Sequence, residues 1–134
     1  MRQAAALPYR NAAGPGGAIE ILLVTSSSGR WIIPKGDIDD GMAPHLAAEK
    51  EAFEEGGACG RINARPIGEF HARKDLDGDS IQVEVEVFPL HVIEVLDRWP
   101  EMDQRDRKWL PRDAAAEAVE EPELRELILG FAAR

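Results

Sequence analysis

The 134-residue chain reads as an α/β domain, a sheet covered on both faces by helices. Three observations predict this. "SIQVEVEVFPL" alternates strictly, with Ile81, Val83, Val85 and Val87 on one face and Gln82, Glu84 and Glu86 on the other, the period of a half-buried strand. "PHLAAEKEAFEE" is built mostly of good helix formers, with a proline at its first position and Gly56 and Gly57 behind it to stop it. Strand-like and helix-like segments then interleave along the chain, as layered α/β folds require. The length suits one domain spanning 1–134.

Taken in order, the first strand falls near Gln3 to Tyr9, and the Gly- and Pro-rich "NAAGPGG" from Asn11 turns the chain. "AIEILLVTS" is nearly continuous in aliphatic residues, the mark of a strand buried on both faces. "SSGR" turns into "WIIP", a short strand that Pro34 ends. The helix covers Pro44 to about Glu55. "RPIGEFHARK" and "SIQVEVEVFPL" form a hairpin through the Asp-Gly pair of "DLDGD", and "HVIEVL" extends it after a bend at Pro89. Asp97 to Lys108, polar and interrupted by Pro100, is a loop. "KWLP" is a short strand and "PRDAAAEAV" a short helix. "EPELRELILGFAAR" is an amphipathic terminal helix with Leu124, Leu127, Ile128 and Phe131 inward.

Composition narrows the function classes. Hydrophobic residues make up 44% and charged residues 31%, the balance of a folded soluble domain. A net charge of -9 disfavours a nucleic-acid polymer as partner, because phosphate-backbone affinity needs clustered Lys and Arg. It is compatible with a small phosphorylated ligand, since a bound divalent cation inverts the local field. The single cysteine, Cys59, rules out an internal disulfide and a multi-thiolate metal site. With no apolar run near the roughly 20 residues of a membrane span and no signal peptide in "MRQAAALPYR", a cytoplasmic protein without membrane contact is expected.

The helix carries a local conflict. At about 100° per residue, Leu46 and Phe53 project within about 20° of each other and, with Ala48 and Ala52, form the expected anchoring stripe. Glu51, Glu54 and Glu55 crowd another side at i,i+3 and i,i+4 spacing. Like charges so placed cost a few tenths of a kcal/mol per pair, and the helix C-terminus disfavours anions. Such breaches of local rules gather at functional sites. A hard divalent cation resolves this one, because Mg²⁺ is held by a few carboxylates together with substrate phosphates. A solvated acidic face, with Lys50 offsetting Glu54, is the competing explanation. Upstream, "WIIPKG" brings a strand into a corner where Gly36 permits close backbone approach and Lys35 can reach a phosphate.

The stretch from Gly36 to Ala58 resembles the signature of the Nudix hydrolases, G-x5-E-x7-R-E-U-x-E-E-x-G-U, with U a bulky aliphatic residue. Gly36, Glu51, Glu54, Glu55 and Gly57 fall at the required spacings. "RWIIPKG" followed by "DGM" is closest in wording to the diadenosine- and diphosphoinositol-polyphosphate phosphohydrolases. The resemblance implies an α/β/α sandwich with a mixed central sheet, and divalent-metal-dependent cleavage of a pyrophosphate bond in a nucleoside diphosphate-linked, dinucleoside or inositol polyphosphate substrate. The implied cofactor is Mg²⁺, with Mn²⁺ an alternative. Glu51, Glu54, Glu55 and the Gly36 carbonyl are the implied metal ligands, Glu51 and Glu54 the catalytic groups, and Lys35 and Arg30 the substrate contacts.

The chain departs from the signature at four positions. Met42 replaces the first Glu, Lys50 the Arg, and Ala52 and Ala58 the bulky aliphatics. Lys50 keeps a charge but lacks the planar fork that grips two oxygens. Met42 binds no hard cation, and losing both partners strands neither. These changes motivate a rival reading, a catalytically weakened nucleotide- or metabolite-binding module. A third is an acidic helix that docks a basic partner. Glu101, Glu84 and Glu86 are candidates for an extra ligand or general base, and Arg105 and Arg107, within reach of a polyphosphate tail, read rather as charge balance in a loop. His45, His71 and His91 match no ligand set. Cys59 reads as a small buried residue without an activator, and Trp99 as a core or base-stacking aromatic.

Overall fold

The computed structural model describes residues 2–12 and 18–132. Its elements are β1 (Arg2–Asn11), β2 (Ile19–Thr25), β3 (Trp31–Ile32), β4 (Lys35–Asp37), α1 (Pro44–Gly56), β5 (Ala58–Ile62), β6 (Gly68–Leu76), β7 (Asp79–Val95), β8 (Arg107–Pro111), α2 (Arg112–Ala118) and α3 (Pro122–Gly130). The strands join one mixed sheet. β1 and β7 run parallel at its centre, and the remaining pairings are antiparallel. Most of the Gly/Pro turn expected at Asn11 lies outside the described residues; its flanks are tied by the Ala12 N–H donating to the Ala18 carbonyl at 2.7 Å.

Strand alternation on β1 divides the interior. Ala5, Leu7 and Tyr9 face a cluster with Phe70, Val83, Val85, Val87, Leu124 and Ile128, beneath α2 and α3. Ala4 and Ala6 face the opposite cluster with Ala47, Ala48, Ala52 and Phe88, beneath α1. The result is the expected α/β sandwich.

Four expectations change. The anchoring stripe of α1 is rotated: Leu46 and Phe53 are 45% and 41% exposed, while Ala47, Ala48 and Ala52 are buried. Small residues face small residues here, Ala47, Ala48 and Ala52 against Ala4 and Ala6, and this lets the helix backbone settle close to the sheet. A wheel weighted by side-chain size cannot foresee that. β4 adds a short pairing with β1 where only a corner was expected, and β5 fills an edge with "ACGRI", a segment without strand periodicity.

The fourth change is at Pro89, where β7 continues without a break. On the edge away from β1, β6 pairs as far as Val87 and β5 takes over at Leu90. The residue without an N–H thus sits where that edge changes partner, the one place a ladder bond is not required.

If alanine-on-alanine packing sets the depth of α1, Ala48→Leu should cost about 1–3 kcal/mol of unfolding free energy through overpacking. Leu46→Ala, on the exposed side, should stay within about 0.5 kcal/mol. Urea denaturation of both variants checks the contrast.

Candidate active site

The site begins at β4. Gly36 pairs with Ala4, while Lys35 and Asp37 pair with Ala5 and Gln3. Alternation therefore turns Gly36 toward α1, and Lys35 and Asp37 toward the face covered by α2 and α3. A Cβ on Gly36 would stand 2.5–2.7 Å from the carboxylate atoms of Glu51. A side chain here would push that carboxylate aside, so the strand and the acidic helix are matched at this point.

The ladder also decides which carbonyl is free. Ala6 donates to the Pro34 carbonyl at 3.0 Å, so by antiparallel alternation the peptide groups of Gly36 are turned to Ala4 and those of Lys35 outward. In agreement, the Lys35 N–H donates to Glu55 Oε1 at 3.4 Å. The carbonyl that faces the helix is that of Lys35.

The glutamates differ in environment. Glu55 is almost fully buried, at 5% exposure; Glu51 and Glu54 are half-buried. Burial, reinforced by Glu51 and Glu101 and opposed by Arg105, pushes the Glu55 carboxyl up to about 8. Burial and the Glu54 charge also raise Glu51, partly offset by a hydrogen bond from Glu55. Among the described residues no three acidic, His or Cys side chains are gathered into a ready-made metal cage. The donor set is one of hard oxygens, which suit a hard divalent cation, with one carboxyl held in the site against its own desolvation cost.

The loop after β7, with the first residue of β8, completes the site. The Glu101 N–H donates to the Glu54 carbonyl at 3.0 Å, Trp99 Nε1 to the Glu55 carbonyl at 2.9 Å, and Arg107 Nη1 to the Gly56 carbonyl at 2.8 Å. Gly57 N–H takes the Phe53 carbonyl at 3.0 Å. The last four carbonyls of α1, which a helix leaves unpaired, are all satisfied. Gly57 itself needs its left-handed φ of 63°, and a Cβ there would meet Arg107 Nη1 at 2.8 Å and Trp99 Cβ at 3.0 Å. Arg105 spans the acids: Nε donates to Glu101 Oε1 at 2.9 Å, Nη1 to the Thr25 carbonyl at 2.8 Å, and Nη2 lies 3.5 Å from Glu55 Oε2. Spacing gave no sign that this loop folds back, more than forty residues on in sequence; only its Glu, Trp and Arg content marked it.

Of the other expected residues, Lys35 is half-buried, and burial lowers its pKa; its Nζ donates to the neutral Gln3 Oε1 at 3.2 Å. Arg30 is held by Glu120 at 2.6 Å and by Ser28 Oγ. It lines, with His71, Arg73 and Glu121, a cleft of about 610 Å³ on the α2/α3 face. A second cavity of about 590 Å³ surrounds Tyr9 and Phe131, at the other end of β1 from Gly36. Glu101 joins the glutamates of the helix. Glu86 pairs instead with Arg2 at 3.1 Å, and Glu84 neighbours Glu69 on the sheet. Lys50 turns to Asp39 at 2.9 Å, and Met42 packs on the apolar cluster beneath α1. Trp99 has the Arg107 guanidinium 3.7 Å from its ring centroid. His45 tilts against Phe88, His71 Nδ1 lies 3.1 Å from Glu123, and His91 stacks on Tyr9. Cys59 is half-buried on β5 rather than enclosed.

A mixed sheet between helices, with an acidic helix seated on a glycine of its edge strand, defines a Nudix-type domain. The family model described as NUDIX domain matches residues 1–131, and the chain belongs to the Nudix hydrolase family. It is 33% identical over 122 residues to the mitochondrial Nudix hydrolase 16 of Arabidopsis thaliana, covering 87% of this chain and 67% of that protein. To the diphosphoinositol polyphosphate phosphohydrolase 3-beta of Bos taurus it is 32% identical over 105 residues, covering 75% and 60%. The C. elegans Ap4A hydrolase, in a binary complex, superposes with a TM-score of 0.69 at 23% identity, covering 96% of this chain and 92% of that one, a likeness of fold. The chain spans about half to two thirds of the length of the curated relatives it matches. Some of those relatives carry mitochondrial or chloroplastic names, so family membership does not fix a cytoplasmic location. No helix among the described residues is long and apolar enough to cross a membrane.

The buried Glu55 carboxyl sets a pH dependence for the metal-free protein. The folded state holds this proton up to about pH 8, whereas the unfolded chain releases it near 4.5. The stability it contributes is complete below pH 4.5 and is lost as pH rises toward 8. Melting temperatures in EDTA should fall across that window, and Glu55→Gln should flatten the slope.

Proposed function

We propose that this chain hydrolyses a pyrophosphate bond in a nucleoside diphosphate-linked, dinucleoside or inositol polyphosphate, with Mg²⁺ or Mn²⁺ as cofactor. The observation that carries the reading is the Glu51 carboxylate seated on Gly36 beside the buried Glu55. Family membership and the names of the relatives support the reaction class.

Glu51, Glu54 and Glu55, with the outward carbonyl of Lys35 in place of that of Gly36, would hold the cation. When bound, it neutralises phosphate oxygens and lowers the pKa of the attacking water. Glu51 orients that water and accepts its proton, and Glu54 fixes the opposite side of the site. The water oxygen bonds to phosphorus as the bridging oxygen departs with the leaving phosphate. Lys35 offers its ammonium to a substrate phosphate, because its partner Gln3 leaves the charge unneutralised. The neighbouring cleft, with Arg30 and Arg73, receives the group beyond the phosphates.

Met42 in the apolar cluster and Lys50 on Asp39 favour the second reading, a binding module on the same fold. Calorimetry separates them: tight binding that persists without Mg²⁺ and leaves the ligand intact belongs to the module.

A panel of dinucleoside polyphosphates, nucleotide sugars and diphosphoinositol phosphates, each with Mg²⁺ and with Mn²⁺, tests the enzyme reading. At least one substrate should turn over, and Glu54→Gln should lose about 10²-fold or more in kcat. Turnover no higher than that control on every substrate rejects catalysis. Gly36→Ala should likewise lower kcat, since its Cβ displaces the Glu51 carboxylate.

A further inference from the structure

The acidic cluster needs a cation to hold it in shape, and the helix offers only Lys50. Lys50 is half-buried and turned to Asp39, 2.9 Å away, and acts on Glu51 and Glu54 through its charge alone. Arg105 is placed otherwise. Its side chain is 20% exposed, against 6% for that of Glu55. Its three nitrogens go to three separate oxygens: Glu101 Oε1 at 2.9 Å, the Thr25 carbonyl at 2.8 Å, and Glu55 Oε2 at 3.5 Å.

The Thr25 contact ties the guanidinium to the end of β2, and Glu101 is itself fixed by its backbone bond to Glu54. A planar group anchored at two corners has little freedom at the third. The carboxylate at that third corner belongs to the most buried glutamate of the site. Outer partners of this kind orient metal-binding groups and tune their affinity.

We infer that Arg105, and not the Lys50 of the helix, is the positioning residue that sets Glu55 for metal binding. The inference rests on the metal-dependent reading above. The guanidinium works through its fork as well as its charge, so a lysine at 105 reaches one of the three oxygens and leaves the others unheld.

The test is Mn²⁺ calorimetry on the wild-type chain, Arg105→Ala, Arg105→Lys and Lys50→Ala, followed by kcat and KM on whichever panel substrate turns over. Both Arg105 variants should weaken Mn²⁺ binding and lower kcat by about 10–100-fold, with KM changed by less than about threefold. Lys50→Ala should shift each quantity by less than about threefold. Thermal melts without metal establish that each variant is folded; if Arg105→Ala is not, Arg105→Lys carries the test alone. Wild-type Mn²⁺ affinity in a folded Arg105→Lys overturns the inference, as does a larger loss from Lys50→Ala. If the wild-type chain binds no Mn²⁺, the metal reading falls and this inference with it; if it binds and the Arg105 variants match it, this inference alone fails.

Discussion

The Glu51 carboxylate rests against the bare Cα of Gly36, and the surrounding architecture serves that contact. An edge strand must end at the right height, and a helix must lie close to the sheet. Alanines on both sides supply the nearness: Ala4 and Ala6 from β1, Ala47, Ala48 and Ala52 from α1. Larger aliphatics would bury more apolar area, at about 25 cal/mol per Å², but would lift the helix away from the glycine. The stretch gives up hydrophobic stabilisation for geometry.

That geometry concentrates negative charge at the worst end of a helix. Carboxylates near the C-terminus oppose the macrodipole, and α1 has no basic residue in its last turn. The loop after β7 supplies what the helix lacks. Together with Arg107, the first residue of β8, it donates to three carbonyls of the final turn and brings two guanidiniums, Arg107 at the helix end and Arg105 among the acids. Trp99 contributes an N–H and a flat surface for Arg107. The loop acts as a cap built from a distant part of the chain.

Much of the fold was legible in the sequence because its signals are local. The alternation of Ile81 to Val87, the Asp-Gly hairpin and the helix bounded by Pro44 and Gly57 all report on neighbours in the chain. β4 and β5 were not legible, since three residues of "KGD" and five of "ACGRI" become strands only when β1 and β7 offer them an edge. The rotated face of α1 was missed for a related reason: the apolar stripe of a helix is set by what it packs on, and an alanine floor selects alanines over Leu46 and Phe53. The helical glutamates and the glycine were legible through their spacing. The carbonyl turned toward them was not, because strand phase assigns it to Lys35. Arg105 carried no spacing signal, only the arginine content of its loop.

The departures from the family signature become intelligible in these terms. Met42 is drawn into the apolar cluster beneath α1, so the position that carries a glutamate in the signature serves packing here. With that acid gone, a cation at position 50 has nothing to hold on the helix, and Lys50 pairs with Asp39 on the surface. A surface pair of this sort contributes little to stability, and it leaves the carboxylates only the through-space charge of Lys50 from their own helix. Arg105 meets that need from outside. Its anchor on β2 makes the position of Glu55 a property of the sheet, so the site tolerates changes within the helix that would otherwise loosen it.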